Sequence, residues 1–200
     1  LEFRRVLFRS HSFLAYLGYL AGYAHINECM EDAAFREAAR RLMLDEQAPT
    51  LRIKDVDLTA YADSLIERFA NPALQHRTWQ IAMDGSQKLP QRMLDGIRVH
   101  LERNTPWSLL ALGVAGWIRY VSGTDERGNA IDVRDPLSDK IRAIVNASSD
   151  ANRVHALLGL SEVFGHDLAR NRIFVEAVSQ AYERITRHGA RQAVIETLNL

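Results

Sequence analysis

The chain has 200 residues, of which 47% are hydrophobic and 25% are charged, which supports one compact domain and excludes a disordered protein. Its 25 basic and 25 acidic residues give a net charge of zero, which argues against nucleic acid or an acidic membrane surface as a partner. The one cysteine, Cys29, excludes an intramolecular disulfide framework and a zinc cage of thiolates, and it fits a cytoplasmic protein.

The first ten residues, LEFRRVLFRS, differ in character from those that follow. They are basic and partly apolar, but they lack the apolar core and the cleavage site of a signal peptide. The string also resembles the translation of a common sequencing adapter. We therefore expect residues 1–10 to be a non-native leader and residues 11–200 to be the native domain. An independent sequence of the locus with the same codons before His11 would contradict this expectation.

Two segments are apolar on all sides and predict buried helices, Ser12 to Ile26 and Trp107 to Val121. The first is too short to span a membrane. Each segment carries small residues on one face, where another helix can pack closely. These small residues are Gly18 and Gly22 in the first segment and Gly113 and Gly116 in the second.

Amphipathic patterns predict further helices, and breaks rich in proline, glycine and asparagine separate them. These helices are expected over 31–47, 58–69, 74–83, 90–102, 136–147, 150–164 and 171–186, with a last one from 189. Asp57 is a suitable N-cap for the second. The turn residues Arg127-Gly128-Asn129 predict one short β-hairpin near 124–133. The predicted fold class is therefore mainly α, with one hairpin.

Polar residues concentrate between Asn71 and Arg92. The turn Asp84-Gly85-Ser86 is followed by Lys88, so that an ammonium and backbone N–H groups lie near a helix start, where an anionic or polyhydroxyl ligand could bind. The alternative is an interhelical turn with a solvated lysine. Both interpretations remain open from these residues alone.

His11 is a second candidate for a site. It lies at the N-terminal edge of the first apolar segment, where the positive end of the helix dipole favours the neutral imidazole. A neutral ring can donate one hydrogen bond and accept another, which suits the orientation of a hydroxyl or carbonyl group. The alternative is a histidine at a helix end without a function. The seven histidines form no metal-binding motif, and no GxGxxG motif occurs.

Two long segments, HSFLAYLGYLAGYAHINECME and RFANPALQHRTWQIAMDGSQKLPQR, closely resemble the C-terminal domain of the long-chain mannitol dehydrogenase family, and within it the D-mannonate oxidoreductases (fructuronate reductases). The resemblance covers residues 11–200. It implies a multi-helical substrate domain of the 6-phosphogluconate dehydrogenase-like type. In the family, NAD is bound mainly by an N-terminal Rossmann domain, which is absent from these 200 residues, and no metal is needed.

The resemblance also implies roles for individual residues. In the family, a lysine, an asparagine five residues later and a histidine three residues further form the catalytic signature. His11 matches the histidine, which binds substrate, whereas Phe3 and Phe8 stand at the other two positions, inside the expected leader. Lys88 matches a lysine that contacts substrate. This chain by itself is therefore expected to be inactive.

Gln80 stands where polyol dehydrogenases of the family carry an arginine, and Arg77 lies one turn earlier. This departure favours a sugar acid as substrate, whose carboxylate could pair with Arg77, Lys88 or Arg92. The resemblance thus implies an oxidoreductase that interconverts D-mannonate and D-fructuronate with NAD. Mannitol 2-dehydrogenase, another polyol dehydrogenase and a non-catalytic helical interaction module remain alternatives.

Overall fold

The computed structural model describes residues 2–51 and 57–199, and the side chains from Arg9 onward. In these ranges the chain forms thirteen α-helices. They are α1 (Glu2–Leu20), α2 (Ile26–Glu31), α3 (Ala33–Arg41), α4 (Leu58–Ala70), α5 (Thr78–Ala82), α6 (Gly85–Leu89), α7 (Asp95–Arg103), α8 (Ser108–Val121), α9 (Ser138–Ala147), α10 (Arg153–Leu158), α11 (Ser161–Arg170), α12 (Arg172–His188) and α13 (Ala190–Leu198). The predicted mainly α class is confirmed.

Short turns of other helix types connect some of these elements. Leu42–Gln47 and Pro90–Leu94 are π-helical and continue directly from α3 and α6. Ala48–Thr50, Pro72–Leu74 and Asp150–Asn152 are 3-10 turns. In the described part of the chain, no helix combines the length and the apolar character that a membrane span requires.

Helix α8 forms the centre of the fold because its sequence is apolar on every side. All residues from Leu109 to Ile118 are buried, and the helix packs against α1 and α12. A Cβ atom on Gly113 would lie 2.9 Å from Met93 Sδ, and one on Gly116 would lie 2.9 Å from Leu17 Cδ2. The predicted close packing at these two glycines is confirmed.

Helix α1 begins earlier and ends sooner than the predicted helix from Ser12 to Ile26. It ends at Leu20, and Gly22 turns the chain toward α2 with a φ of +93°. Gly22 is therefore a turn residue, whereas a Cβ atom on Gly18 would lie 2.5 Å from Cys29 Sγ. Because α1 begins at Glu2, His11 lies in the middle of the helix and not at its N-terminal edge.

The hairpin predicted near 124–133 is only a loop closed by one antiparallel bridge, between Thr124 and Ala130. The Asp125 carboxylate accepts hydrogen bonds from the backbone N–H groups of Arg127 and Asn129, each at 2.8 Å. These side-chain contacts close the turn locally, and the ladder of a hairpin does not extend from it.

Two predicted helices are shorter in the structure. The one over 74–83 is reduced to α5, because Gln75 adopts a left-handed conformation with a φ of 44°. The one over 150–164 is divided at Gly159 and Leu160, between α10 and α11. In both places the helix is broken in the structure, although the helical spacing of the apolar residues continues in the sequence across the break.

Gly85 is expected to tolerate no side chain. A Cβ atom there would lie 2.3 Å from Trp117 Nε1 and 2.9 Å from the Tyr16 hydroxyl oxygen, inside the buried core. We expect Gly85→Ala to lower the free energy of unfolding by about 1–3 kcal/mol, because overpacking strains a close-packed core. Chemical denaturation measures this change. The matched control is Gly96→Ala in α7, where the added Cβ atom would make an ordinary contact of 3.6 Å with Leu110.

The control is expected to raise stability by about 0.5–1 kcal/mol, because alanine favours a helix interior over glycine. Equal effects of the two alanine substitutions would contradict the close approach at Gly85.

Candidate functional site

His11 lies in a largely buried position on α1. Its side chain is 9% exposed, and its ring contacts the ring of Phe69, with the centroids 4.3 Å apart. The edge of the His76 ring approaches it at 5.5 Å between centroids. The His11 Nε2 atom is buried and has no hydrogen-bond partner among the described residues. Since a buried polar atom without a partner is unfavourable, a ligand atom could supply the missing bond.

Burial lowers the pKa of His11 to about 3, and the electrostatic effects of the neighbouring His76, Arg92 and Arg68 act in the same direction. The ring is therefore neutral near pH 7. The neutral form agrees with the sequence prediction, but the reason given there, the helix dipole at the N-terminus, is wrong. The dipole acts within the first turn of a helix, and His11 is in the middle of α1.

Arg92 is joined to the same region by a hydrogen bond. Its Nη1 atom donates to the hydroxyl oxygen of Ser12 at 2.8 Å, and Ser12 is fully buried next to His11. Arg92 lies on the π-helical turn Pro90–Leu94, a type of distortion that often occurs at functional sites. Partial burial lowers the pKa of the guanidinium, which keeps its charge at physiological pH.

Lys88 lies one helical turn before Arg92 and is half-buried. Its Nζ atom donates hydrogen bonds to the carbonyl oxygens of Ile81 at 3.2 Å and Met83 at 2.5 Å. Burial lowers the pKa of Lys88, and the charge of Arg92 adds to this effect. The ammonium is thus held in one orientation by carbonyl groups at the end of α5 and in the turn that follows it.

The start of α6 already holds a protein carboxylate. The backbone N–H of Ser86 donates to Asp135 Oδ2 at 2.8 Å, and the Ser86 hydroxyl donates to Asp135 Oδ1. The sequence offered this turn as a place for an anionic ligand or as an ordinary interhelical turn. The backbone here is an ordinary interhelical turn, because Asp135, 49 positions away, accepts the hydrogen bond of the Ser86 N–H group.

Arg77 and Gln80 are exposed, and no described hydrogen bond or ring contact joins either of them to His11. Arg77 forms an isolated backbone bridge with His25. It lines a cleft of about 820 Å³ at the C-terminal end of α1, together with Tyr23 and Arg127. The structure therefore places Arg92 beside His11 and places Arg77 on a different surface.

Sequence reasoning missed the residues that surround His11. Phe69 lies at the end of α4, and His76 lies in the loop that follows the left-handed residue Gln75. Arg68 precedes Phe69 and acts on His11 through its charge. All three fall within the segment RFANPALQH, but no periodicity or motif in it indicates a contact with α1. In the described ranges, no three side chains of the metal-binding types lie close enough to hold a metal ion.

Comparisons with known proteins agree with this architecture. A family model described as mannitol dehydrogenase C-terminal domain matches residues 4–186. The chain is 71% identical, over 98% of its length, to the uncharacterized oxidoreductase YeiQ of Escherichia coli (strain K12). It is 57% identical, over 95% of its length, to the D-mannonate oxidoreductase of the same organism.

A solved structure gives the same result. The Pseudomonas fluorescens mannitol 2-dehydrogenase ternary complex with NAD and D-mannitol matches 99% of the chain with a TM-score of 0.92 and 30% sequence identity. The chain spans 40% of that structure, 40% of YeiQ and 39% of the D-mannonate oxidoreductase. These matches show that the chain belongs to the mannitol dehydrogenase family and corresponds to its C-terminal domain.

Proposed function

We propose that the full-length protein containing this chain is a cytoplasmic oxidoreductase that interconverts D-mannonate and D-fructuronate with NAD, and that these residues form its substrate domain. The identity of 57% with a D-mannonate oxidoreductase, against 34% with a mannitol 2-dehydrogenase, supports this choice of substrate. The structural observation that carries the proposal is the buried, neutral His11, whose Nε2 atom lacks a partner among the described residues.

In this proposal His11 orients the sugar. A neutral imidazole can donate a hydrogen bond to a carbonyl oxygen or accept one from a hydroxyl, so it can bind both the oxidised and the reduced substrate. The contact with Phe69 excludes water from one face of the ring. Because the pKa of His11 is about 3, the ring near pH 7 is neutral, so it lacks the acidic proton of an imidazolium and is a weak base. The acid and base role therefore falls to another group, which the family resemblance places at position 3.

When bound, NAD accepts or supplies the hydride. The glycines of α8 do not fit its phosphates. A phosphate needs exposed backbone at such glycines, but Met93 packs against Gly113 and Leu17 packs against Gly116. We therefore propose that the dinucleotide binds mainly to a domain outside this chain. The residues near His11 then contact the sugar.

A polyol dehydrogenase is the second candidate. The structural match to the complex of mannitol 2-dehydrogenase with NAD and D-mannitol favours it, because the two folds agree over almost the whole chain. The two candidates differ in one chemical group of the substrate. D-Fructuronate carries a carboxylate, and D-fructose carries a hydroxymethyl group at the same end.

Initial rates of NADH oxidation with D-fructuronate and D-fructose distinguish the candidates. Because the family resemblance implies a lysine at position 3 and an asparagine at position 8, the full-length protein is prepared with Phe3 and Phe8 and also with Phe3→Lys and Phe8→Asn. We expect the substituted form to be about 10²-fold or more faster, since it regains a general acid and base. We also expect its kcat/KM for D-fructuronate to exceed that for D-fructose by at least about tenfold, which corresponds to one charge-assisted hydrogen bond.

A preference for D-fructose would contradict the proposed substrate and support the polyol dehydrogenase. The absence of turnover of either substrate by both forms would support the non-catalytic interaction module.

A further inference from the structure

The aromatic ring of Phe69 lies directly against the imidazole of His11. The two ring centroids are 4.3 Å apart and the ring planes are tilted by 33°. This separation is shorter than the range of about 4.5–7 Å in which packed aromatic rings usually lie. Phe69 is 3% exposed and His11 is 9% exposed. One face of the imidazole is therefore covered by an apolar ring and shielded from water.

The segment that connects α4 to α5 contacts the imidazole a second time. His76 approaches it edge-on, with the centroids 5.5 Å apart and an angle of 79° between the planes. Phe69 and His76 lie seven positions apart, and the turn Pro72–Leu74 and the left-handed Gln75 lie between them. One short segment thus contacts the His11 ring from two directions.

Backbone hydrogen bonds fix the far end of this segment to the loop that follows α1. The carbonyl oxygen of His76 accepts a hydrogen bond from the N–H of Ile26 at 2.9 Å. The N–H of Thr78 donates to the carbonyl oxygen of Ala24 at 3.0 Å. The near end is held by α4, which buries Phe69. Because both ends are held, the phenyl ring has a fixed place next to the imidazole.

We propose that Phe69 is a positioning residue for His11. Its ring fixes the plane of the imidazole and keeps water from one face, so that the Nε2 atom is held in one direction for a ligand oxygen. This atom is buried and has no hydrogen-bond partner among the described residues. That the ligand is a sugar rests on the function proposed above, whereas the state of the imidazole can be measured without substrate.

A purely structural role is the alternative. Phe69 ends the buried stripe of α4, which also contains Ala62 and Leu65, so its removal also weakens helix packing. Phe174 on α12 provides a matched control. It is a fully buried phenylalanine that packs against other aromatic rings, and no described ring contact joins it to His11.

The test follows the titration of His11 by nuclear magnetic resonance in the full-length protein with Phe3→Lys and Phe8→Asn, labelled with ¹³C-histidine. The resonance of His11 is the one that His11→Asn removes. In the unsubstituted protein it is expected not to titrate above about pH 5, because burial lowers its pKa to about 3. In Phe69→Ala water reaches the ring, and the pKa is expected to rise above about 5, toward the ordinary value of about 6.5. Phe174→Ala is expected to leave it unchanged.

The other titratable groups that act on the ring are His76, Arg68 and Arg92. Both alanine substitutions leave these groups in place. A pKa change confined to Phe69→Ala is therefore caused by the loss of the phenyl ring. Equal changes in the two variants, or no change in either, would overturn the proposal.

Initial rates with D-fructuronate supply a second readout. Phe69→Ala is expected to lower kcat by about tenfold or more with a smaller change in KM, because a misdirected imidazole loses its hydrogen bond in the transition state. Phe174→Ala is expected to change kcat less than about threefold. A loss confined to KM, or equal losses of kcat in both variants, would contradict a positioning role.

The titration also separates this proposal from the proposed function. If the protein prefers D-fructose or turns over neither sugar, the proposed substrate is wrong, and the titration still decides the effect of Phe69 on His11. If the alanine variants do not fold by circular dichroism, Phe69→Leu and Phe174→Leu replace them. Leucine covers less of the imidazole, so a titration extended to about pH 4 is expected to show partial protonation of His11 in Phe69→Leu only. The absence of this protonation would overturn the proposal.

Discussion

Replacing His11 by alanine is expected to lower kcat/KM for D-fructuronate by about 10²- to 10³-fold in the full-length protein with Phe3→Lys and Phe8→Asn. This is the usual effect of removing one oriented hydrogen-bond donor from a water-excluded site. The imidazole of His11 is held between Phe69 and His76, so its direction is set before substrate arrives. Steady-state rates measure the change.

His11→Asn and an exposed histidine supply the controls. Asparagine keeps a neutral donor and acceptor, so this variant is expected to retain more activity than His11→Ala. His166 is exposed on α11, and His166→Ala is expected to have no effect. An identical loss in His11→Ala and His11→Asn would contradict a hydrogen-bonding role.

The pH profile tests the protonation state of His11. Because burial and neighbouring positive charge hold its pKa at about 3, the ring does not titrate where enzymes are usually assayed. The profiles of the unsubstituted protein and of His11→Asn are therefore expected to have the same shape above about pH 5. An acid limb near the ordinary histidine pKa that disappears in His11→Asn would show that the ring is accessible to solvent and protonated.

A second large effect is expected from the buried carboxylate of Glu46. The π-helical turn Leu42–Gln47 places it beneath the start of α8, and it is 4% exposed. Its two oxygens accept hydrogen bonds from the backbone N–H groups of Leu109 at 2.8 Å and Leu110 at 2.7 Å. Burial raises the pKa of Glu46 to about 7, although these two bonds act in the opposite direction.

The raised pKa makes stability depend on pH. Between about pH 4.5 and about 7 the folded protein binds this proton more tightly than the unfolded chain does. The stabilisation of the folded protein by the proton on Glu46 is therefore complete below about pH 4.5, and it is lost as the pH rises through about 7. Over this interval the free energy of unfolding is expected to fall by on the order of 3 kcal/mol.

Denaturation in urea, followed by tryptophan fluorescence between about pH 5 and 8, measures this dependence. Glu46→Gln is expected to remove it, because an amide does not titrate. The matched control is Asp45→Asn, which changes the exposed neighbour. The charge of Asp45 is the smallest of the causes that shift the pKa of Glu46, so this variant is expected to retain most of the slope. The same slope in Glu46→Gln and in the unsubstituted protein would contradict the assignment to Glu46.

Two of the carboxylates that cap helices, Asp57 and Glu46, differ in how well sequence predicts them. Asp57 caps the start of α4 by accepting a hydrogen bond from the backbone N–H of Ala60 at 3.0 Å, as predicted. This cap lies within three residues, so a local pattern contains it. Glu46 caps α8 from 63 and 64 positions away, and nothing in its own segment indicates that role.

The candidate site divides in the same way. The resemblance of two segments predicted His11 and Lys88 as binding residues, and these assignments stay predictions. The position of Arg77 on a separate cleft and of Arg92 beside Ser12 could not be read from the spacing of the residues. Arg77, Lys88 and Arg92 are polar and lie near helix ends or turns, where periodicity carries little information.

By itself, the sequence determined the mainly helical class, the burial of α8 and the N-cap at Asp57, because apolar periodicity and helix capping act over short distances. Only the tertiary structure decided where α1 ends, that Asp135 fills the start of α6, and which charges surround His11. These features depend on groups that the fold brings together from distant parts of the chain. A local sequence pattern indicates that a residue is buried, but it does not indicate which residue it contacts.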